Sequence, residues 1–283
     1  MVGDRAVLGA AARLSRYHAR TEVAMAGDPV LVGVDFTGDT LRVLMTDDQG
    51  HQVADGEWPL PELADEEAWS WEVGGRIASL FADEGEHRSA LAISVAAPGA
   101  VDSETGRLLA STGQDSWDGL AIVDSLKRHI GAPISAENRT LCALLAETWQ
   151  GAAAGIDNVL YVSLRGVPSA ALLTSGRLVR GAHLGAGALP AAPELDAAAP
   201  LDDEDLERLS GLLADVVAVL DPEMVVLDGA EAHLDQLVPL LEQVLEQVAP
   251  GPEVVRSTLG ERAALIGTIR LASTLAFEGG RRG

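Results

Sequence analysis

The chain has 283 residues, of which 47% are hydrophobic, so it can bury one large core or two cores of ordinary size. Its formal charge of −23 at pH 7 argues against unaided binding to nucleic acid or to an anionic membrane, because both need a positive field, and the small basic tail Arg281-Arg282 does not reverse this. A single cysteine, Cys142, excludes internal disulfides and any zinc site built from several thiolates of one chain.

The N-terminus lacks the pattern of a signal peptide, and no apolar segment approaches the roughly 20 residues needed to cross a bilayer. We therefore expect a cytoplasmic protein. Residues 1–27 carry several arginines among alanines and leucines, and they predict a short helix with a linker ending near Pro29. A frayed extension is an equal alternative.

The stretch 30–50 predicts two strands joined by a tight turn around Gly38, the first strand ending at Asp35. Such a turn can present backbone N–H groups to an anion and leave Asp35 to hold a metal ion or water. Asp39, however, stands in the bend itself. At about 4 Å, repulsion between two like charges costs roughly 1 kcal/mol in water and about 4 kcal/mol at an effective dielectric of 20. The turn thus resembles a phosphate cradle whose charge no longer suits phosphate.

Apolar periodicity and turn residues predict the rest of the first half. It comprises a strand over 51–60, a helix over 65–81, a strand over 90–96, a turn over 97–102, a helix over 118–130 and a strand over 133–137. The turn places Asp102 at the C-terminal edge of its strand. Asn138 then caps a helix that is stopped by Gly151.

The second half begins with strands again and continues with alternating helix and strand. It comprises strands over 158–164, 170–174 and 177–180, a loop over 181–200, helices over 203–220, 231–248 and 261–276, and strands over 224–227 and 254–255. This repetition predicts a duplicated α/β fold with a central cleft between two lobes, which is the default ligand site. We expect a small lobe over 28–136, completed by a C-terminal helix over 261–280, and a large lobe over 137–260.

Several motifs, in order across residues 30–275, resemble those of the ROK family (repressors, open reading frames and sugar kinases) of the actin-like ATPase and hexokinase superfamily. They are the runs 33–38, 97–106, 136–138 with 146–147, 176–183, 220–227 and 259–263, and Trp117. The resemblance implies a duplicated actin-like ATPase (ribonuclease H-like) fold and a homo-oligomer. It implies an ATP-dependent sugar kinase or the effector part of a transcriptional regulator.

The position of the catalytic base departs from the family pattern. In active members an aspartate directly follows the asparagine at the helix start, and it takes the proton from a sugar hydroxyl. Here that position is Arg139, and a guanidinium cannot serve as a base.

The nucleotide and sugar motifs depart as well. Side chains replace the key glycines of the second phosphate loop at 165–171, where Gly166 remains and Pro168 removes a donor. The adenosine loop reads Asp228-Gly229-Ala230, and the sugar motif, starting at Gly187, lacks its carboxylate and histidine. The family's cysteine cluster is also missing. We therefore expect no zinc, and ATP with magnesium only if the chain is a kinase.

The remaining candidates for ligand binding are Asn138, Glu137, Asp102 and Gly187, with Asp35, Gly38, Asp39, Gly166 and Gly229 as degenerate cofactor positions. Structural roles are the alternatives: Asp35 can cap a turn, Asn138 its helix, Glu137 can pair with Arg139, and Asp102 can hold its own loop. His183 is interpreted as a loop residue.

These departures favour a non-catalytic relative of the sugar kinases, a sugar-sensing, small-ligand-sensing or protein-interaction module related to transcriptional regulators. An anionic ligand near Arg139 and Arg165 is conceivable. One alternative is an active ATP-dependent kinase of a hexose or amino sugar, with Asp102 or Asp115 as a displaced base. A second is a regulator's effector domain without its own helix-turn-helix, since the 27 residues ahead of the fold are too few for one.

Overall fold

A computed structural model describes most of the chain and confirms its mixed α/β character. The predicted helix and linker within residues 1–27 and the basic tail Arg281-Arg282 lie outside the described residues. Those residues are 28–63, 65–83, 88–112, 114–248 and 251–279. None of the helices in this part of the chain combines the length and the apolar character that a membrane span requires.

The elements of the first half follow the apolar runs of the sequence. In chain order they are β1 (Asp28–Phe36), β2 (Thr40–Asp47), β3 (Gln52–Pro59), α1 (Glu66–Asp83), β4 (Arg88–Ala97), β5 (Gly99–Asp102), β6 (Arg107–Ser111), α2 (Ile122–Lys127), β7 (Ile134–Asn138) and α3 (Arg139–Gln150).

The second half contains the remaining elements. They are β8 (Val159–Ser163), β9 (Ser169–Thr174), β10 (Arg177–Val179), α4 (Asp203–Leu220), β11 (Met224–Asp228), α5 (Glu231–Val248), β12 (Glu253–Arg256) and α6 (Ala263–Gly279). The chain divides into two compact units. The first runs to Cys142 and resumes at Ala264, and the second extends from Ala143 to Ala263.

The first unit contains a five-stranded sheet in the order β3-β2-β1-β4-β7. Strands β1, β4 and β7 are parallel, with Asp35 opposite Ala96 and Ala97 opposite Asn138, whereas β2 pairs antiparallel with β1 and β3. Because parallel strands end at the same edge of a sheet, the polar residues that close β1 and β7 are brought together.

Helices cover both faces of this sheet, which explains why β1 is apolar throughout. Side chains of α1 and α2 pack on one face, and α6 packs on the other through Leu265, Ile269 and Ala272. A Cβ atom at Gly33 would lie 2.2 Å from Oγ1 of Thr268, so the glycine allows α6 to lie directly on β1.

The second unit repeats this arrangement with a sheet in the order β10-β9-β8-β11-β12. Strands β8, β11 and β12 are parallel, β9 is antiparallel to β8, and α4 and α5 contribute to the core. Each sheet thus joins an antiparallel three-strand meander to two further parallel strands. The predicted duplicated actin-like ATPase fold is confirmed.

Two local predictions in the first unit are wrong. The segment 97–102, predicted as a turn, contains β5, which forms a hairpin with β6. The helix predicted over 118–130 is limited to Ile122–Lys127, because Gly119 has a φ of +82°, which no α-helix accommodates. The carboxylate of Asp118 accepts a hydrogen bond from the backbone N–H of Ser111 instead.

Candidate functional site

The ends of β1 and β7 bring Asp35 and Arg139 together. The Nε atom of Arg139 lies 2.7 Å from Oδ1 of Asp35, and Nη2 lies 3.2 Å from Oδ2. The Asp35 side chain is fully buried, whereas 19% of the Arg139 side chain is exposed. A buried carboxylate must be neutralised, and a bidentate guanidinium does so with favourable geometry. The residue at the expected position of the base is thus the counter-ion of the acid at the end of β1.

Both the oxygen and the nitrogen of the Asn138 side-chain amide form hydrogen bonds within the fold. Its Oδ1 accepts hydrogen bonds from the backbone N–H groups of Thr140 (2.8 Å) and Leu141 (3.0 Å), and Nδ2 donates to the carbonyl of Gly99. The predicted cap of α3 is present. The neighbouring Glu137 is buried, and its Oε1 accepts from the Asn138 N–H.

The β1–β2 turn contains Gly38 and Asp39, both exposed. Oδ1 of Asp39 accepts hydrogen bonds from the hydroxyl groups of Thr37 (3.1 Å) and Thr40 (2.9 Å). The carboxylate that the sequence places in the bend therefore engages the hydroxyl groups closest to it. The exposed carboxylate of Asp39 puts an acid in the turn where the sequence resembles a phosphate cradle.

Asp102 fastens the β5–β6 turn. Its carboxylate accepts from the Thr105 hydroxyl (2.7 Å) and from the backbone N–H of Glu104 (3.0 Å). The hydrogen bond from Thr105, followed by the one from Glu104, holds the pKa of Asp102 below its ordinary value. Asp102 thus holds its own loop. The side chain of Asp115, the other acid considered as a displaced base, lies outside the described residues.

In the second unit, Arg165 follows β8 and Asp228 ends the parallel neighbour β11. Nε and Nη2 of Arg165 lie 2.8 Å from the two carboxylate oxygens of Asp228, and Nη1 lies 3.0 Å from Oε1 of Glu261. Burial by itself lowers the pKa of Arg165, but the hydrogen bond and charge of Asp228 outweigh burial and raise the pKa above its usual value. Arg165 and Asp228 thus form a second bidentate ion pair at a strand end.

Three glycines among the candidates make close contacts within the second unit. The carbonyl of Gly166 accepts from the N–H of Leu195 (2.8 Å), and a Cβ atom at Gly229 would lie 3.0 Å from Cβ of Leu164. Gly187 has a φ of +92°, and its Cβ would lie 1.8 Å from the carbonyl oxygen of Ala170. A close approach of two backbones explains Gly187. His183 lies exposed in the loop that precedes it.

Glu147 was included in the family motif at 146–147 but was assigned no role, and it is a fully buried acid near the end of α3. Its carboxylate accepts from the Ser257 hydroxyl (2.5 Å) and from the backbone N–H groups of Ala152 (2.6 Å) and Leu259 (3.0 Å). Glu147 thereby ties the end of α3 to the loop after β12. An acid among the apolar positions of a helix, four residues before a glycine, was the available signal.

Some of the predicted site residues therefore meet in one group within each unit. Asp35, Glu137, Asn138 and Arg139 meet at the end of the first sheet, and Arg165 and Asp228 meet at the end of the second. The Asp102 carboxylate accepts hydrogen bonds within its own turn, and Gly187 contacts Ala170 of β9.

Comparison with known proteins places this geometry in context. The sequence model of the ROK family matches residues 31–189. A beta-glucoside kinase of Klebsiella pneumoniae is 34% identical over 101 residues, which are 36% of this chain and 34% of that protein. A glucokinase of Thermotoga maritima is 24% identical over 306 residues, which cover 84% of this chain and 95% of the glucokinase.

Among solved structures, a ROK family transcriptional regulator, a homologue of the E. coli MLC protein, superposes with a TM-score of 0.73 at 18% identity. The superposition covers 90% of this chain and 82% of the regulator. At this identity the likeness shows the fold alone.

These findings contradict the prediction of a non-catalytic sensing or interaction module. Relatives that align by sequence are named beta-glucoside kinase and glucokinase, and one glucokinase aligns over nearly its whole length. The match to the beta-glucoside kinase spans only about a third of that protein. The prediction gave decisive weight to the altered motifs, and the alternative of an ATP-dependent sugar kinase agrees better with the comparisons.

Proposed function

Because this chain belongs to the ROK family, we propose that it is a sugar kinase that transfers a phosphoryl group from ATP to a hydroxyl group of a hexose or hexose derivative. The observation that carries the proposal is the alignment with the Thermotoga maritima glucokinase over 95% of that protein. Beta-glucoside kinases of Klebsiella pneumoniae and Listeria monocytogenes, also among the relatives, support a sugar acceptor.

The first group of site residues defines the proposed acceptor side. Phosphoryl transfer depends mainly on positioning and on neutralising the charge of the phosphoryl oxygens. Arg139 supplies a positive charge for that purpose, and part of its side chain reaches solvent. Among the residues that the structure describes, the amide N–H groups of Asn138 have Gly99 as their one acceptor, so we propose that the second N–H binds a sugar hydroxyl.

The absence of a carboxylate at position 139 sets the expected rate. A positioned general base contributes about 10²–10⁴-fold to a proton transfer. This chain therefore relies on positioning and charge neutralisation, and its turnover is expected to be lower by about that factor than that of a member with aspartate at this position.

The second group defines the proposed nucleotide side within its own unit. Arg165, held in orientation by Asp228 and Glu261, is proposed to contact the phosphates of ATP. Within the described ranges, no three His, Cys, Asp or Glu side chains are grouped to hold a metal ion. Magnesium commonly binds through substrate phosphates with few protein ligands, so we propose that it enters with the nucleotide.

The test is a turnover assay of the purified full chain with ATP and magnesium. Glucose, N-acetylmannosamine and a β-glucoside are each offered as acceptor, ADP is measured by a coupled assay, and the sugar product is identified by mass spectrometry. We expect ADP formation that depends on one of these sugars, with a matching phosphorylated sugar. ADP release that is independent of sugar, or no phosphorylated sugar with any acceptor, would overturn the proposal.

A further inference from the structure

The outer surface of α1 differs in charge from that of the other long surface helices. In a chain of formal charge −23, every exposed residue of α1 between positions 71 and 82 is uncharged. These residues, which we call the neutral face of α1, are Trp71, Gly75, Ala78, Ser79 and Ala82. The charged residues of the same stretch, Glu72 and Arg76, pair with each other at 2.8 Å. Helices α4 and α5, by contrast, each expose four acids.

Trp71 projects from this face, and 60% of its surface is exposed. Its ring centroid lies 4.3 Å from that of His129, and Nε2 of His129 lies 3.3 Å from the hydroxyl of Ser70. These contacts hold the indole in one orientation at the surface, so its binding to another protein costs little side-chain entropy. Tryptophan is also among the residues that contribute most to binding energy in protein interfaces. Trp71 is thus oriented in advance for contact with another protein surface.

Small residues follow Trp71 along the same side of the helix. Gly74 and Gly75 lie about one turn further on, and Ala78 lies about two turns further on. A Cβ atom at either glycine would meet no atom within 4 Å outside its own stretch of helix, so packing within the described part of the chain does not require glycine there. A glycine inside a helix is nevertheless less stable than an alanine. The neutral face therefore combines a projecting side chain with a recess beside it.

Two copies of this face complement each other when their α1 helices run antiparallel. A twofold axis close to Gly75 places position 71 of one copy opposite position 79 of the other. The indole of each Trp71 then lies against Ala78 of the partner subunit, and glycine at the crossing point lets the two helix axes come close together. A twofold interface requires a surface of this kind, because every projection must meet a recess on an identical copy.

The charge of the chain favours a second copy as the occupant of this face. Two chains of formal charge −23 repel each other wherever acidic surfaces meet, and the neutral face is where two copies can approach without that repulsion. A strongly basic partner would be attracted to the acids of α4 and α5 instead. We propose that the neutral face of α1 is a homodimer interface in which Trp71 of each copy fills the recess of the other.

The dimensions of α1 set the strength of the association. A helix of 18 residues is about 27 Å long and about 10–12 Å wide, so α1 by itself offers less than the roughly 800 Å² per partner of a standard interface. Interfaces below that size are weak and transient. The dimer is therefore in reversible exchange with the monomer, and its formation does not depend on phosphoryl transfer.

The experiment is sedimentation velocity of the purified full chain over concentrations from micromolar to millimolar. We expect a reversible monomer–dimer equilibrium that Trp71→Ala weakens by about tenfold or more. Val219→Ala, which truncates an apolar side chain of α4 that is 83% exposed, is the control and should leave the equilibrium unchanged. Gly75→Gln fills the recess and should also weaken the dimer by about tenfold or more. Its matched control is Gly211→Gln, at an exposed position of α4 where an added Cβ likewise meets no atom within 4 Å.

A cysteine substitution tests the position of the twofold axis. Gly75→Cys should form a disulfide-linked dimer with oxidised glutathione, whereas Gly211→Cys should not. The native Cys142 is fully buried and does not compete. Circular dichroism verifies that each variant is folded.

Two results would overturn the proposal. A chain that stays monomeric at every concentration would leave the neutral face to a different protein. A dimer that neither Trp71→Ala nor Gly75→Gln weakens, or that Gly75→Cys does not cross-link, would have its interface elsewhere. The readouts contain neither ATP nor sugar, so their failure is independent of failure of the kinase assay.

Discussion

Arg139 donates two hydrogen bonds to the carboxylate of Asp35, a fully buried acid 104 positions earlier in the chain. The pair joins the C-terminal end of β1 to the N-terminal end of α3 in the first unit. Its effect on stability and its effect on catalysis can be measured separately.

Arg139→Met should destabilise the first unit by about 3 kcal/mol, because it leaves the Asp35 carboxylate buried without a counter-ion. Breaking a buried pair costs about 3–5 kcal/mol, and partial exposure of Arg139 favours the lower value. Urea denaturation gives the free energy of unfolding. Arg208→Met, which breaks an exposed pair with Glu204, is the control and should cost less than about 1 kcal/mol. Equal effects of the two substitutions would contradict this account.

Arg139→Asp should give a kcat for sugar phosphorylation about 10²–10⁴-fold above that of Arg139→Asn, because both substitutions remove the guanidinium and only the aspartate supplies a proton acceptor where the family resemblance implies a general base. Asparagine has the same size as aspartate but no carboxylate, so Arg139→Asn separates the effect of proton transfer from the effect of losing the ion pair. Both are measured by sugar-dependent ADP release. If Asp and Asn give the same rate, a base at this position does not limit the reaction.

Glu147→Gln should lower the free energy of unfolding by about 1.5–3 kcal/mol, since the amide replaces one acceptor oxygen among several donors, and hydrogen bonds to a charged group are in this range. Glu246→Gln, at an exposed position of α5, is the matched control and should change stability by less than about 0.5 kcal/mol. Thermal and urea unfolding followed by circular dichroism measure both. Indistinguishable variants would show that the Glu147 contacts contribute no net stability.

Gly187→Ala should destabilise the second unit by about 1–3 kcal/mol, because the residue has a positive φ and its Cβ would overlap the Ala170 carbonyl oxygen. Gly185→Ala, two residues earlier, meets no atom within 4 Å and serves as the control. Amide hydrogen exchange in β9 reports the local effect. Unchanged protection in Gly187→Ala would mean that the backbone moves aside at little cost.

The Asp102 carboxyl should titrate below 3.8, its ordinary value, because the Thr105 hydroxyl and the Glu104 N–H stabilise its charged form. A folded pKa below the unfolded one means that these contacts stabilise the fold above pH 3.8 and are lost as the pH falls through the folded pKa. Thr105→Val should therefore move the pKa of Asp102 upward, toward 3.8. Carbon-detected NMR titration of the carboxyl group measures it, and an unchanged midpoint in the variant would show that Thr105 is not the cause.

Local features of the site could be predicted because they depend on neighbours in sequence. The cap of α3 by Asn138 involves N–H groups two and three residues ahead, and the turn fastened by Asp102 spans four residues. The β5–β6 hairpin was missed, since a four-residue strand leaves little alternation to detect. The extent of α2 was overestimated because apolar residues at helical spacing do not reveal that Gly119 has a positive φ.

The sequence by itself determined the duplicated α/β fold, because the spacing of apolar residues specifies helices and strands locally and the same order of elements occurs twice. Tertiary structure alone decided the partners of the two site arginines, Arg139 and Arg165. Arg139 reaches Asp35 past the end of β4, which lies between β1 and β7, and Arg165 reaches Asp228 from a neighbouring strand. Both contacts exist only because parallel strands distant in sequence end at the same edge of a sheet. An arginine pairs with the carboxylate that the sheet brings close to it. Which strand ends lie close together is set by the order of the strands in the folded sheet.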